Sequence, residues 1–174
     1  MAKIGLTKLG LKVNQDIKNV EFNDQIIEVK QYLPINEKLE LISNVINASA
    51  DDKNYANPVK IDVFTAFEIF DFYTNINFTE KQREDIPKLY DMLVSSGLYA
   101  ATVNAIPETE LKVITEGIER SIKAVYDYKT SLLGMFEIIS TDYSQTGLNI
   151  NEMYQQIADP NNMTFLKDVV TKLG

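Results

Sequence analysis

The chain of 174 residues has the length of one domain and contains no cysteine, no histidine and no tryptophan. The lack of cysteine and histidine excludes disulfide bonds and the usual zinc and copper ligands, and it removes the most frequent general base near neutral pH. The net charge of −8 arises entirely beyond residue 60, where 17 acids face nine basic residues, and such a surface repels phosphate and disfavours nucleic acid as a partner.

Residues 1–17 are predicted to form an extended N-terminal arm. Its apolar residues are scattered between two glycines and three lysines, a pattern too short and too rich in glycine for a stable helix. We expect the arm to pack on its own domain or to be ordered by a neighbouring chain. The segment also lacks the continuous apolar core of a secretory signal. Its predicted contact residues are Ile4, Leu6, Leu9 and Leu11.

Residues 18–32 are predicted to form a β-hairpin around Asn23-Asp24, a pair that tolerates the positive φ angles of a type I′ turn. A two-residue loop would place Val20 opposite Ile27 and gather the apolar side chains on one face. That face must pack on helices or join further strands, because a lone hairpin is only marginally stable. The outer edge is predicted to pair with another subunit. Its predicted contact residues are Glu21, Glu28 and Lys30.

Residues 59–73, VKIDVFTAFEIFDFY, are predicted to form a central helix. Large apolar and aromatic residues occur on nearly all its sides at helical spacing, so the rest of the domain has to surround it. Asp62, Glu68 and Asp71 mark a narrow solvent-exposed edge. Residues 59–63 alternate and could instead form a short strand, because short apolar runs are ambiguous between the two.

The other helices are predicted from their start and stop signals. Pro34 suits the entrance of a helix over residues 36–47, and Thr79 begins the capping-box order T-E-K-Q. Pro87 lies within the helix that Thr79 begins, so we expect a short first piece, a kink near Ile86 and a continuation to Ser95 that ends at Gly97.

The longest periodic segment predicts a helix over residues 106–140, bent or split either at Gly134 or at Thr130-Ser131. Two shorter helices are predicted over residues 149–158 and 162–173. The predicted fold is therefore α+β and mainly α, with the hairpin packed on a helical bundle. Residues 18–174 are expected to form one domain.

No motif for catalysis, a cofactor or a metal is present. The seven glycines form neither a dinucleotide-binding fingerprint nor a Walker A loop. Asp51 and Asp52 begin a calcium-like loop that lacks the required glycine and glutamate. The acids Glu108 and Glu110 are interpreted as parts of an exposed helix face and not as a catalytic pair. We therefore expect no catalytic, cofactor-binding or metal-ligating residues, no cofactor, no small-molecule substrate and no membrane contact, since no run of 18 apolar residues exists.

The segments FNDQIIEVKQYLPINEKLELI and NMTFLKDVVTKLG, with the order of elements between them, resemble small proteins encoded in the structural gene blocks of tailed bacteriophages of Gram-positive hosts. The resemblance implies a virion structural or assembly protein, as a head, connector or tail component that binds other virion proteins and itself. It implies a location in the virion, and in the host cytoplasm during assembly. No site residues follow from it.

Two further roles remain open for such a chain. A tail-assembly chaperone would bind a tail protein without entering the particle, and an acidic inhibitor of a host defence complex would occupy a basic nucleic-acid channel. An enzyme would need carboxylates buried together in a cleft, which the periodicity does not indicate.

Overall fold

The computed structural model describes residues 3–51 and 55–135, in which helices predominate over one two-stranded sheet. The predicted fold class, mainly helical α+β with an N-terminal hairpin packed on helices, is confirmed. The chain divides into two compact units, Met1–Ala124 and Val125–Gly174. The predicted boundary between arm and domain after residue 17 stays a prediction.

The hairpin consists of β1 (Ile17–Phe22) and β2 (Gln25–Lys30), paired antiparallel in the predicted register. Asn23 and Asp24 form the loop with φ angles of 48° and 61°, the left-handed values that a type I′ turn requires. Ile27 and Val29 are buried on the inner face, whereas the residues on the outer face are exposed. The predicted alternation of faces is therefore confirmed.

The arm that precedes the hairpin (residues 3–16) is exposed along its whole length. It contains a short 3₁₀ helix, Leu6–Leu9, where an extended conformation was predicted. The backbone N–H of Lys8 donates to the carbonyl of Gly5 at 3.0 Å, and Gly10 ends the turn in the left-handed region at a φ of 59°. Gly10, one of the two glycines that make a long helix unfavourable, thus permits the left-handed end of a single tight turn.

Helices α1 (Ile35–Ser49) and α2 (Pro58–Tyr73) follow the hairpin. The Asn57 side chain accepts hydrogen bonds from the N–H groups of Val59 and Lys60, so α2 is helical from its first turn. The strand alternative for residues 59–63 is therefore wrong.

The apolar circumference of α2 divides between two core clusters. Ile69 and Tyr73 pack in a cluster with the hairpin, α1 and α6, while Phe67 and Phe70 pack in a second cluster with Phe78 and α4. Because its sides contact different neighbours, α2 is the central helix that its composition predicts.

The next helices are α3 (Glu80–Arg83), α4 (Ile86–Ser95) and α5 (Leu98–Val103). Thr79 forms the complete predicted capping box with Gln82 at the start of α3. Pro87 lies in the first turn of α4, and the chain breaks between α3 and α4 as predicted. Gly97 adopts a φ of 82° after α4, in agreement with its predicted role as a helix stop.

Helix α6 (Glu108–Thr130) is the longest described element. It packs so closely on α1 that a Cβ atom at Gly117 would lie 2.5 Å from the Cδ1 of Ile42. In the second unit, α6 ends at Thr130, at one of the two predicted break points, and residues 132–135 are again helical. The helices predicted over residues 149–158 and 162–173 lie outside the described residues.

Candidate interaction surface

The arm presents apolar side chains that no other described part of the chain covers. No residue of its 3₁₀ helix is buried. Since folding normally removes such side chains from water, a run of them on an exposed segment is a surface that a partner could cover. The exposed fractions of the predicted contact residues are 70% for Ile4, 71% for Leu6, 54% for Leu9 and 70% for Leu11. Val13, which the sequence analysis did not single out, is 63% exposed.

The arm is also the basic part of the molecule. Lys3, Lys8 and Lys12 alternate with its apolar residues, and the first acid of the chain is Asp16. The arm therefore combines three positive charges with an apolar surface, and this combination favours a partner surface that is both apolar and acidic.

The outer face of the hairpin holds the three other predicted contact residues. Glu21 and Glu28 are exposed there, and the Lys30 ammonium forms an exposed ion pair with Glu37 at 3.3 Å. Ile17 and Ile26 lie on the same face, 55% and 59% exposed, so this face is more apolar than its charged residues indicate. The exposed ion pair between Lys30 and Glu37 contributes little to the stability of the fold.

The two edges of the hairpin differ. Along β2, the N–H of Glu28 donates to Oδ1 of Asn75 at 3.1 Å, and Val29 forms a bridge with Thr74. The segment after α2 thus covers part of this edge. In the described part of the chain β1 pairs only with β2, so its other edge is the one open to strand addition.

A groove of about 370 Å³ lies between α2, α4, α5 and α6 in the first unit. We call it the acidic groove, because the charged residues that line it are Asp62 and Glu119. Its apolar and aromatic lining consists of Ile61, Tyr90, Tyr99 and Ile118. Burial, reinforced by Tyr90 and Asp62, raises the pKa of Tyr99, so this hydroxyl stays neutral at physiological pH.

A second groove, beside α3 and α4, is lined by acids and bases together. Glu84 and Asp85 face Lys81 and Lys88 there, and the charges balance. This groove therefore offers no preference for a charged partner.

The prediction that Glu108 and Glu110 both lie on an exposed face at the start of α6 is wrong for Glu110. Its side chain is buried and accepts hydrogen bonds from Lys38 Nζ at 2.8 Å, from the Leu33 N–H at 3.1 Å and from the Tyr73 hydroxyl at 3.2 Å. The Lys38 ammonium also lies 4.3 Å from the centre of the Tyr32 ring. The physical reason is helical spacing, because Glu110 shares one stripe with Ile114 and Ile118.

This buried cluster links the hairpin exit, α1, α2 and α6. Both oxygens of Glu110 are occupied by donors, and the Lys38 charge is neutralised within the cluster. Burial, and then the Glu110 charge, raise the pKa of the Tyr73 hydroxyl, which therefore remains a donor. The hydrogen bonds of the cluster hold these elements together.

Glu68 and Asp71, two acids of α2, are partly exposed to solvent. The Glu68 carboxylate accepts from Asn44 Nδ2 at 2.9 Å, and Nη2 of Arg83 donates to both carboxylate oxygens of Asp71, at 2.7 and 2.9 Å. Among the described residues, no group of three or more acidic side chains is arranged to hold a metal ion. Within the same residues, none of the helices combines the length and apolar character needed to cross a membrane.

Comparisons of the chain with protein-family models, with curated proteins and with solved structures give no match.

Proposed function

We propose that this chain is a non-enzymatic structural or assembly protein of a tailed-bacteriophage virion, acting through contacts with other virion proteins and with itself. The observation that carries the proposal is the arm, where apolar side chains 54–71% exposed extend from a well-packed unit. A segment of this kind lowers its free energy when a partner covers it. The sequence resemblance to proteins of phage structural gene blocks supplies the class of partner.

A non-catalytic role is supported by the chemistry of the described residues. The most deeply buried acid, Glu110, is fully hydrogen bonded, and it lies against a lysine and not against a second carboxylate. The chain contains neither histidine nor cysteine, the groups that most often activate a nucleophile or a proton transfer.

One observation favours the alternative of an assembly chaperone or an acidic inhibitor. The chain carries 17 acids against nine basic residues beyond residue 60, which suits a protein that occupies a basic channel in a host complex. Such a protein would act during infection and would be absent from the finished particle.

Quantitative mass spectrometry of gradient-purified particles separates these roles. A structural component is expected in many copies per particle, in constant ratio to the major head or tail proteins. Absence of the chain from particles, together with its recovery on a tail protein or a host defence complex, would favour the alternative.

A variant pair tests whether the arm carries the contact. Leu9→Asp and Met92→Asp make the same change of charge at side chains that are both 54% exposed, one in the arm and one on α4. Leu9→Asp is expected to reduce incorporation into particles by about tenfold or more, because a charge in an apolar contact costs more than 1.4 kcal/mol. Met92→Asp is expected to leave it unchanged. Equal incorporation of both variants would show that the arm is not the contact.

A further inference from the structure

We infer that the arm of one copy binds in the acidic groove of a second copy of this chain. The inference rests on the proposed role of the arm as a contact segment and adds the surface that receives it. In the structure the groove is open and its lining includes no arm residue, while the arm's apolar side chains are exposed. Both surfaces are thus uncovered in one molecule.

The chemistry of the two surfaces is complementary. The arm brings Lys3, Lys8 and Lys12 between apolar side chains, and the groove places Asp62 and Glu119 beside apolar and aromatic ones. Docking would pair lysines with the two acids while leucine side chains cover the aromatic lining. The other described groove has balanced charges and lacks this complementarity.

The length of the arm permits the exchange. Residues 3–16 span up to about 45 Å when extended, and Gly10, at a φ of 59°, provides a point at which the segment can change direction. A groove of about 370 Å³ accommodates a few side chains, not the whole arm. We therefore expect the segment around Leu9, between Lys8 and Lys12, to occupy it. Two copies that exchange arms reciprocally form a closed two-fold dimer, whereas a one-way contact closes into a ring or continues as a filament.

Thiol crosslinking of the purified full-length chain tests the inference, since the natural chain has no cysteine. Leu9→Cys is mixed with an isotope-labelled Thr115→Cys variant, whose cysteine lies at the groove. The mixed pair is expected to crosslink about tenfold more than Leu9→Cys mixed with Met92→Cys, an exposed position on α4 outside the groove. Equal yields in the two mixtures would overturn the inference.

Charge exchange supplies the second measurement, read by sedimentation velocity. Lys8→Glu/Lys12→Glu and Asp62→Lys/Glu119→Lys should each weaken self-association by about tenfold or more, and the equimolar mixture of the two should regain it. No recovery in the mixture would overturn the pairing. Two other results would also overturn the inference. A crosslink formed only within one molecule of the Leu9→Cys/Thr115→Cys double variant would show that the arm binds its own groove. Arm-dependent binding to anionic phosphatidylglycerol vesicles without self-association would show that the arm binds a lipid surface.

The two tests fail independently. A chain that crosslinks between copies but is absent from particles would refute the proposed virion role and leave the arm exchange standing. A chain that is present in particles but does not crosslink between copies would refute the arm exchange and leave the virion role standing.

Discussion

Glu110 accepts hydrogen bonds from three separate parts of the chain, so its replacement tests the buried cluster directly. Glu110→Ala would leave the Lys38 ammonium, the Leu33 N–H and the Tyr73 hydroxyl buried without their acceptor. We expect the free energy of unfolding to fall by about 3–5 kcal/mol, the usual cost of an uncompensated buried charge. Urea denaturation followed by circular dichroism measures the change.

Glu108→Ala is the matched control for that experiment. Glu108 lies two residues earlier in the same first turn of α6 but is exposed. Its loss should cost only about 0.5 kcal/mol, the contribution of an acid to the helix dipole. Similar losses for the two variants would mean that the Glu110 cluster does not stabilise the fold.

Thr102 is a fully buried residue whose hydroxyl has no hydrogen-bond partner among the described residues. Valine has nearly the same shape and no polar atom, so Thr102→Val should raise the free energy of unfolding by about 1 kcal/mol. Thr74→Val provides the contrast, because the Thr74 hydroxyl donates to Phe70 and accepts from Ile76. The free energy of unfolding of Thr74→Val should fall by about 1 kcal/mol in the same denaturation assay. A loss at Thr102 as large as at Thr74 would contradict the prediction.

Glu68 makes stability depend on pH. Burial, opposed by the hydrogen bond from Asn44, raises its pKa above the ordinary value of 4.5. The folded state then binds the proton more tightly than the unfolded state, so stability falls as pH rises from 4.5 through the folded pKa. Glu68→Gln keeps an acceptor for Asn44 and removes this loss.

We therefore expect Glu68→Gln to be more stable than the natural chain at pH 7, with the difference shrinking towards zero below pH 4.5. Unfolding midpoints measured at pH 4 and pH 7 check this. Glu84→Gln removes the same charge at an exposed side chain and is the control for the change of net charge. If the advantage of Glu68→Gln grows at low pH instead, the sign of the shift is wrong.

At the scale of elements, close packing of α1 on α6 decides the effect of a helix substitution. Gly117→Ala gains helix propensity, about 1 kcal/mol, but the new Cβ would lie 2.5 Å from Ile42 Cδ1. We expect the two effects to cancel approximately. In the background of Ile42→Val, which lacks that methyl group, Gly117→Ala should instead stabilise by about 1 kcal/mol. A double-mutant cycle of thermal unfolding measures this coupling, and strict additivity of the two changes would contradict the prediction.

The elements whose signals are local were predictable from the sequence. The hairpin register follows from Asn23-Asp24 and period-2 alternation, and the start of α3 follows from Thr79 and Gln82. Glu110 was misjudged because helix-dipole chemistry explained an acid in the first turn, although its spacing from Ile114 already placed it on the buried stripe. The acidic groove could not be predicted, because Asp62 and Glu119 meet only through the tertiary arrangement of α2 and α6.

At the scale of the whole molecule, basic and acidic residues are separated along the chain. The basic, apolar arm precedes a chain whose excess of acids lies beyond residue 60. Within one molecule the described arm residues remain exposed, so this separation has no stabilising effect on the monomer. We expect it to stabilise an assembly of copies, because a separation of opposite charges favours association in one orientation and raises the rate of encounter at low ionic strength.

Stability and association should therefore be separable by removing the arm. A chain that begins at Asn14 keeps the hydrogen bonds from the Asp16 N–H to Asn14 Oδ1 and from the Gln31 N–H to the Asp16 carbonyl, at 2.8 and 3.0 Å. Because no described residue of the removed segment is buried, the free energy of unfolding should change by about 0.5 kcal/mol or less. Leu33→Ala, at a fully buried position, should lower the free energy of unfolding by about 2–5 kcal/mol. This variant is the positive control that the assay detects a change in the core.

The same truncated chain should lack the self-association that we expect of the full chain in sedimentation velocity, since the removed residues include Leu9, Lys8 and Lys12. Raising the salt concentration should weaken association of the full chain, because lysine–carboxylate attraction across an exposed groove is screened, and should not affect the truncated one. A truncated chain that unfolds several kcal/mol more easily would place the arm in the fold. One that still associates would place the contact elsewhere, with the open edge of β1 as the next surface to test.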